Sequence, residues 1–303
     1  MSRIRIGTRG STLALAQSNW VKEQIERQYR DIEVELLIVK TSGDRFVDTP
    51  IPAIGGKGVF TKEIEEALLR KETDIAVHSM KDLPTELPQG LAIAAVPRRE
   101  DARDVVVSKD GRQLCDLAAG ARVATGSLRR RAQLLHYRGD LAWVAIRGNI
   151  DTRLRKLDEG GADALIMAAA GLKRIGREER ISEYLPDEVC VSAVAQGALG
   201  IEARDDAAMR ELLAFLHDVN TAAEAMAERA FLARLAGGCH VPIGARARAE
   251  GGQLKMIGVV ASPDGKSLCR GSMAGKVSEA VDLGRRLAEQ MLSDGADVIL
   301  QLA

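Results

Sequence analysis

Cys239 sits in the run Leu235-Ala236-Gly237-Gly238-Cys239-His240-Val241-Pro242-Ile243-Gly244. Two glycines before it and a proline three residues after it break helix and strand alike, so the thiol belongs on a shaped loop that a ligand can approach. A thiol so placed serves as a nucleophile or a covalent anchor; the alternative is a small apolar residue at a domain edge. In a second cluster, Val77-His78-Ser79-Met80-Lys81-Asp82-Leu83-Pro84, an apolar strand ends in polar groups and Pro84 stops the ladder. Asp82 suits general acid or base work or the steadying of a cation, and Lys81 suits a Schiff base or the holding of a carboxylate. Taken as structure alone, the segment is a solvated turn with a local ion pair.

Arginines at strand-to-helix junctions form the third feature. Thr125-Gly126-Ser127-Leu128-Arg129-Arg130-Arg131 puts hydroxyls, free backbone N–H groups and guanidiniums at one helix start, where the macrodipole favours anions. Gly7-Thr8-Arg9-Gly10-Ser11 repeats the arrangement, and Arg147, Arg153, Arg155, Lys173 and Arg174 follow later strands. One arginine alone is a surface charge. Several at corresponding junctions predict a ligand bearing many carboxylates or phosphates.

The elements that must position these groups follow from periodicity and breakers. Arg3 to Gly7 reads as a buried strand, Ser11 as the N-cap of a helix from Thr12 to Tyr29, and Glu33 to Lys40 as a second strand. Thr41 to Lys57 is a long glycine-containing loop; Thr61 to Arg70 is a helix, and Asp74 to His78 and Leu91 to Val96 are strands. The same grammar recurs from Asp104: strands at Val105–Ser108, Arg122–Thr125, Ala142–Ile146 and Asp163–Ala168 alternate with helices from Ser127, Asn149 and Ala169. This predicts two α/β lobes with largely parallel sheets and a cleft between them. From Thr221 a helix, the Cys239 loop, three strands (Ile243–Ala249, Leu254–Ala261, Ser267–Gly271) and a helix from Ser278 predict a small C-terminal α+β domain.

Composition narrows the function. Across 303 residues, Lys+Arg and Asp+Glu each total 43, so no overall field draws the chain to nucleic acid or anionic lipid. Aromatic residues make up only 3%, too few for base-stacking platforms. The charged start Met1-Ser2-Arg3-Ile4-Arg5 is unlike a signal peptide, and no apolar run spans a bilayer, which makes a cytoplasmic protein the expectation. The four cysteines and four histidines lack metal-ligand spacing, so neither a metal site nor a disulfide framework is expected. Gly55-Gly56-Lys57-Gly58 lacks the spacing of a phosphate loop, and His240 beside Cys239 has no third member for a thiol protease triad.

Taken in order, IGTRGSTLALAQ, TSGDR, GGKGVFTKE, DIAVHSMKDLP, GSLRRRAQL, RGNIDTRL, AQGALGIE and GGCHVPIG closely resemble the porphobilinogen deaminase (hydroxymethylbilane synthase) family. The resemblance implies a transferase that condenses four porphobilinogens head to tail onto a dipyrromethane primer, releases ammonia at each step, and frees hydroxymethylbilane by hydrolysis, in haem and tetrapyrrole biosynthesis. It implies that Cys239 carries that cofactor through a thioether and that Asp82 is the catalytic carboxylate, stabilising positive charge that develops on a pyrrole. Each pyrrole ring bears an acetate and a propionate. Lys81, Thr125, Ser127, Arg129 and Arg130 match positions holding the cofactor, and Arg9, Ser11, Arg147, Arg153 and Arg174 positions holding substrate carboxylates. Phe60 and Gln196 match positions lining the site; Asp44 matches one linked to the third domain's contact with the cofactor region. Arg131 and Arg155 receive no role.

The implied fold is two periplasmic-binding-protein-like (type II) α/β lobes, residues 1–98 with 197–216 and residues 99–196, plus an α+β domain over 220–303 carrying the cysteine. A monomer is implied, with handover of product to uroporphyrinogen III synthase as a further expectation. The competing class is a non-catalytic two-lobe binder of small anions, which needs the arginines but has no use for Cys239 or Asp82.

Overall fold

The computed structural model describes residues 3–45, 60–235 and 241–302, with residues 44 and 45 described by backbone only. Cys239 and the glycine segment 55–58 lie outside the described residues. The chain divides into two compact units, Met1–Arg99 with Ala198–Ala222, and Glu100–Gly197 with Ala223–Ala303.

In chain order, the first stretch runs β1 (Arg3–Thr8), α1 (Thr12–Gln28), β2 (Glu33–Ile38), α2 (Ser42–Arg45), α3 (Lys62–Leu69), β3 (Ile75–Ser79) and β4 (Leu91–Ala95). There follow β5 (Asp104–Ser108), β6 (Arg122–Ala124), α4 (Leu128–Tyr137), β7 (Ala142–Val144), α5 (Ile150–Asp158), β8 (Ala164–Ala168), α6 (Ala169–Arg174) and β9 (Glu183–Tyr184). The chain then forms β10 (Leu199–Arg204), α7 (Ala207–Leu213), α8 (Val219–Arg234), β11 (Ile243–Glu250), β12 (Gln253–Ala261), β13 (Leu268–Lys276), α9 (Ala280–Met291) and α10 (Asp297–Leu300).

The first unit holds a five-stranded sheet of order β2-β1-β3-β10-β4. β1 runs parallel to β2 and β3, while β10 is antiparallel to β3 and β4. The second unit repeats this pattern with order β7-β6-β8-β5-β9, where β6 is parallel to β7 and β8 and β5 antiparallel to β8 and β9. The two α/β lobes are therefore mixed rather than largely parallel. Periodicity reports which residues face a core but not strand direction, so the reversed β5 and β10 are invisible to it.

Alternation along each strand sends successive side chains to opposite layers. Ile75 and Val77 of β3 join Val21 and Ile25 of α1 in one core, while Ala76 packs with Ile64 and Leu68 of α3 in another. In the second lobe Val105, Leu165 and Met167 pack with Leu154 and Leu157 of α5, and Val106, Val123 and Ile166 with Leu134 of α4. Each lobe thus buries both faces of its sheet.

The three-stranded antiparallel sheet β11-β12-β13 belongs to the second unit. Here β13 continues to Lys276, beyond the Gly271 at which the sequence pattern ends, because its glycines make room for a helix instead of ending the strand. A Cβ on Gly271 would stand 2.8 Å from Met291 Cγ of α9. Asp187 ties this sheet down by accepting from Arg246 at 2.9 Å and Arg248 at 3.0 Å. Buried Glu228 of α8 accepts the backbone N–H of Ala195 at 2.5 Å and of Ala247 at 2.7 Å, holding Ala195 at φ 57° just before Gln196.

Candidate active site

In the first unit, β1 and β3 are parallel neighbours, so the segments leaving their C-terminal ends emerge at one edge of the sheet. β1 delivers Arg9 and Ser11; β3 delivers a single turn, Met80–Asp82, with Asp82 at its end. Ser11 caps α1 by accepting from the Ala14 N–H at 3.3 Å. Arg9, Ser11, Phe60, Asp82, Gln17, His78 and Ser79 line a cavity of about 60 Å³. The Arg9 guanidinium lies 4.1 Å from the Phe60 ring centroid, a cation–π contact that helps orient it. Gln17 donates to Ser79 Oγ at 2.9 Å and so fixes the cavity wall. Lys81 and Asp82 are exposed.

In the second unit the same logic applies to β7-β6-β8, which are mutually parallel and end at one edge. β6 leads to Thr125 and Ser127, β7 to Arg147, and β8 to α6, which ends at Arg174. Ser127 caps α4, accepting from the Arg130 N–H at 3.4 Å, and Thr125 Oγ1 accepts from the Ser127 N–H at 3.2 Å. Arg153 on α5 donates to Gly148 O at 2.8 Å, and Arg174 to Gly197 O at 2.7 Å. Burial pushes the Arg153 guanidinium down to about 10, with the charge of Arg130 adding to the effect. Burial brings Arg174 to about 10 as well, against the opposing pull of Glu100. A carboxylate brought to either group would restore its usual basicity. Arg147 is exposed.

Arg129 and Arg130 point inward, each 6% exposed, onto the fully buried Asp104. Arg129 Nη1 is 2.7 Å from Asp104 Oδ2; Arg130 Nε is 2.9 Å and Nη2 2.7 Å from Oδ1. Gln196 Nε2 donates to the same Oδ1 at 2.9 Å, and its Oε1 accepts from Arg130 at 3.4 Å. Arg129 also donates to Val191 O at 2.6 Å and Arg130 to Ile166 O at 3.1 Å. Burial alone would raise the Asp104 carboxyl, but the charges of Arg129 and Arg130 outweigh it and hold the group well below the usual carboxylate range. One buried carboxylate thus fixes two guanidiniums and Gln196 together and leaves a net positive patch.

Asp104 and Gln17 escape sequence reading. Asp104 stands in Ala102-Arg103-Asp104-Val105, where an aspartate before a strand reads as a solvated turn, and its arginines lie 25 and 26 residues away. Cys190, whose Sγ is 3.4 Å from Asp104 Oδ2, is pushed up to about 12 by burial, the Asp104 charge adding to it. An alkylating reagent at neutral pH is therefore expected to leave Cys190 unmodified in the folded protein while labelling exposed Cys115; peptide mapping that finds Cys190 alkylated before unfolding would contradict this. Cys239 and the side chain of Asp44 fall outside the described residues. Among the described residues no group of three or more His, Cys, Asp or Glu is placed to hold a metal ion, and no helix is long and apolar enough to cross a membrane.

Basic pockets at helix starts, together with a carboxylate beside a small cavity, suit recognition of polycarboxylates and stabilisation of a developing cation. Among solved structures, a putative methionine-binding lipoprotein from Bacillus subtilis aligns over 71% of this chain and 90% of that chain at 13% identity, with a TM-score of 0.43, too loose a likeness to carry an argument. The sequence relatives are far nearer. A porphobilinogen deaminase from Pelobacter propionicus is 52% identical over 300 residues, 99% of this chain and 96% of that protein. One from Geobacter metallireducens is 51% identical over 299 residues, 98% of this chain and 94% of that protein. The family model for the porphobilinogen deaminase dipyrromethane cofactor binding domain matches residues 4–211, and that for the C-terminal domain matches residues 222–293. With both models matched in sequence order over nearly its whole length, the chain belongs to the porphobilinogen deaminase family.

Proposed function

We infer that this chain is a porphobilinogen deaminase, a transferase of tetrapyrrole biosynthesis that joins four porphobilinogens head to tail and releases hydroxymethylbilane by hydrolysis. The observation that carries this is family membership across both matched regions at about half identity. Its cofactor is dipyrromethane, which when bound supplies the primer on which the chain is built. The direct test is porphobilinogen consumption by the purified protein with one ammonia released per porphobilinogen; no consumption would refute the activity.

Residue roles are the finer part of the proposal. Cys239 is the thioether attachment point. Lys81, Thr125 and Ser127 hold the acetate and propionate groups of the cofactor beside the charge of Arg129 and Arg130, with Asp44 contributing through the third domain. The chemistry of the donor set supports this, because helix N-termini and guanidiniums are what carboxylates need. The burial of Arg129 and Arg130 against Asp104 favours an electrostatic and positioning part for these two. Arg9, Ser11, Arg147, Arg153 and Arg174 hold substrate carboxylates, and Phe60 and Gln196 line the site. The lowered basicity of half-buried Arg153 and Arg174 supports their share.

Asp82 is the catalytic residue. As the acid it protonates the departing amine, and the carboxylate that remains accepts hydrogen bonds from pyrrole N–H groups and stabilises the positive charge left on the substrate ring. Its position on an exposed turn beside the Arg9 and Ser11 cavity supports that role. Family resemblance alone carries the remaining proposals: periplasmic-binding-protein-like (type II) lobes over 1–98 with 197–216 and over 99–196, a separate α+β domain over 220–303, a cytoplasmic monomer, and product handover to uroporphyrinogen III synthase. Sedimentation of the protein alone and mixed with that synthase checks the last two.

A further inference from the structure

Behind the cavity that Asp82 lines lies a buried group of ionisable side chains for which the family roles above have no use. In the antiparallel pairing of β10 with β3, Gly200 faces His78 and Glu202 faces Ala76, so His78 and Glu202 are diagonal neighbours on one sheet face. That face is the one on which Ala76 packs against Ile64 and Leu68 of α3. His78 is 6% exposed, Glu202 0% and Glu65 of α3 7%. His78 Nε2 stands 3.0 Å from Glu202 Oε2. Among the described residues, that nitrogen, both Glu202 carboxylate oxygens and Glu65 Oε1 have no aligned hydrogen-bond partner. Burial pushes the Glu65 carboxyl up, the neighbouring Thr61 hydroxyl opposes this, and the Glu202 charge adds to it.

Two buried carboxylates in one layer oppose each other's ionisation, and a buried carboxylate attracts an imidazole N–H. Burial and the Glu202 charge therefore both favour the protonated form of Glu65, and the His78 ring, 3.0 Å from Glu202, is the nitrogen base of the layer. His78 is also part of the cavity wall, with Arg9 and Asp82 as the charged groups on that side. His78, together with Thr61, thus stands between the cavity and the buried carboxylates. β4, on the far side of β10, carries no titratable side chain.

We propose that His78, backed by Glu202 and Glu65, is a positioning residue that stores a proton for the cavity of Asp82 and returns it during each condensation; this rests on the deaminase reading. Joining the aminomethyl carbon of one porphobilinogen to the free ring carbon of another breaks a C–N bond and forms a C–C bond. The nitrogen leaves as ammonia having gained one proton, and the ring carbon loses one. The two transfers balance over the step but not at every instant: the proton for ammonia is needed before the ring carbon gives one up, so the imidazole supplies a proton first and recovers one at the end of the step.

The test compares holoenzymes, each checked by mass for its cofactor, as wild type, Glu202→Gln and Glu65→Gln from about pH 5 to about pH 9. Glu202→Gln is expected to lower kcat about tenfold with little change in KM and to move a limb of the kcat profile to lower pH, since the imidazolium loses its opposite charge. Glu65→Gln, which leaves the His78–Glu202 pair in place, keeps that limb where wild type has it. A Glu202→Gln profile superposable on wild type, whatever the loss of stability, overturns the proposal. If Glu202→Gln does not fold, the NMR titration of the four histidines decides, with His78→Gln assigning the signal. A His78 ring that titrates within the working range supports the proposal, and one locked in a single state overturns it. A wild-type holoenzyme that consumes no porphobilinogen overturns the deaminase reading itself, before any variant is made.

Discussion

Asp82→Ala gives a folded protein whose porphobilinogen turnover is lower by about a thousandfold or more. The fold should survive because Asp82 is exposed at the end of a single turn, and a surface substitution there shifts stability by roughly 0.5 kcal/mol at most. The loss is chemical: alanine offers neither a proton for the departing amine nor a negative charge for the cation left behind. Asp82→Asn sets shape against chemistry, since the amide keeps the polarity and shape but neither the charge nor the exchangeable acid, and it should fall with the alanine variant. Steady-state turnover and circular dichroism on the same preparations make the check; an Asp82→Ala enzyme with wild-type turnover would remove the aspartate from the mechanism.

Asp104→Asn should have the largest effect on stability. Asp104 is the carboxylate that faces both Arg129 and Arg130, and neutralising it leaves two buried guanidiniums without that charge. Breaking a buried pair by removing one partner costs about 3–5 kcal/mol. For a unit of this size that corresponds to a Tm lower by roughly 10 °C. The pH dependence has a definite sign. Because the folded state holds the Asp104 carboxyl below its unfolded value, its stabilisation is complete above about pH 4 and is lost as pH falls through the lower, folded value. The Asn variant should therefore lose stability at neutral pH and show a shallower acid dependence than wild type. Thermal melts across pH check both; a variant as stable as wild type at neutral pH would contradict the arrangement. KM for porphobilinogen should also rise, as the residues that Asp104 orients lose their fixed positions.

The junctions of the candidate site are legible from local sequence. A strand, a glycine or hydroxyl, and an arginine at a helix start mark Arg9 with Ser11, and Thr125 with Ser127, and parallel neighbours bring such junctions to one sheet edge. What escapes is long-range and buried. Asp104 meets Gln196 across 92 residues, and the registers of β3 and β10 alone make His78 and Glu202 neighbours. Hydrophobic periodicity carries no information about which polar residue will be enclosed by which. Gly271 misleads in the other direction: a strand glycine reads as a turn, whereas here it admits Met291.

The mass of the intact, active protein is the most direct measurement. The polypeptide should be heavier by one dipyrromethane, with the addition mapped to Cys239 and absent, together with activity, from Cys239→Ser. Full activity in a protein of unmodified mass would contradict this.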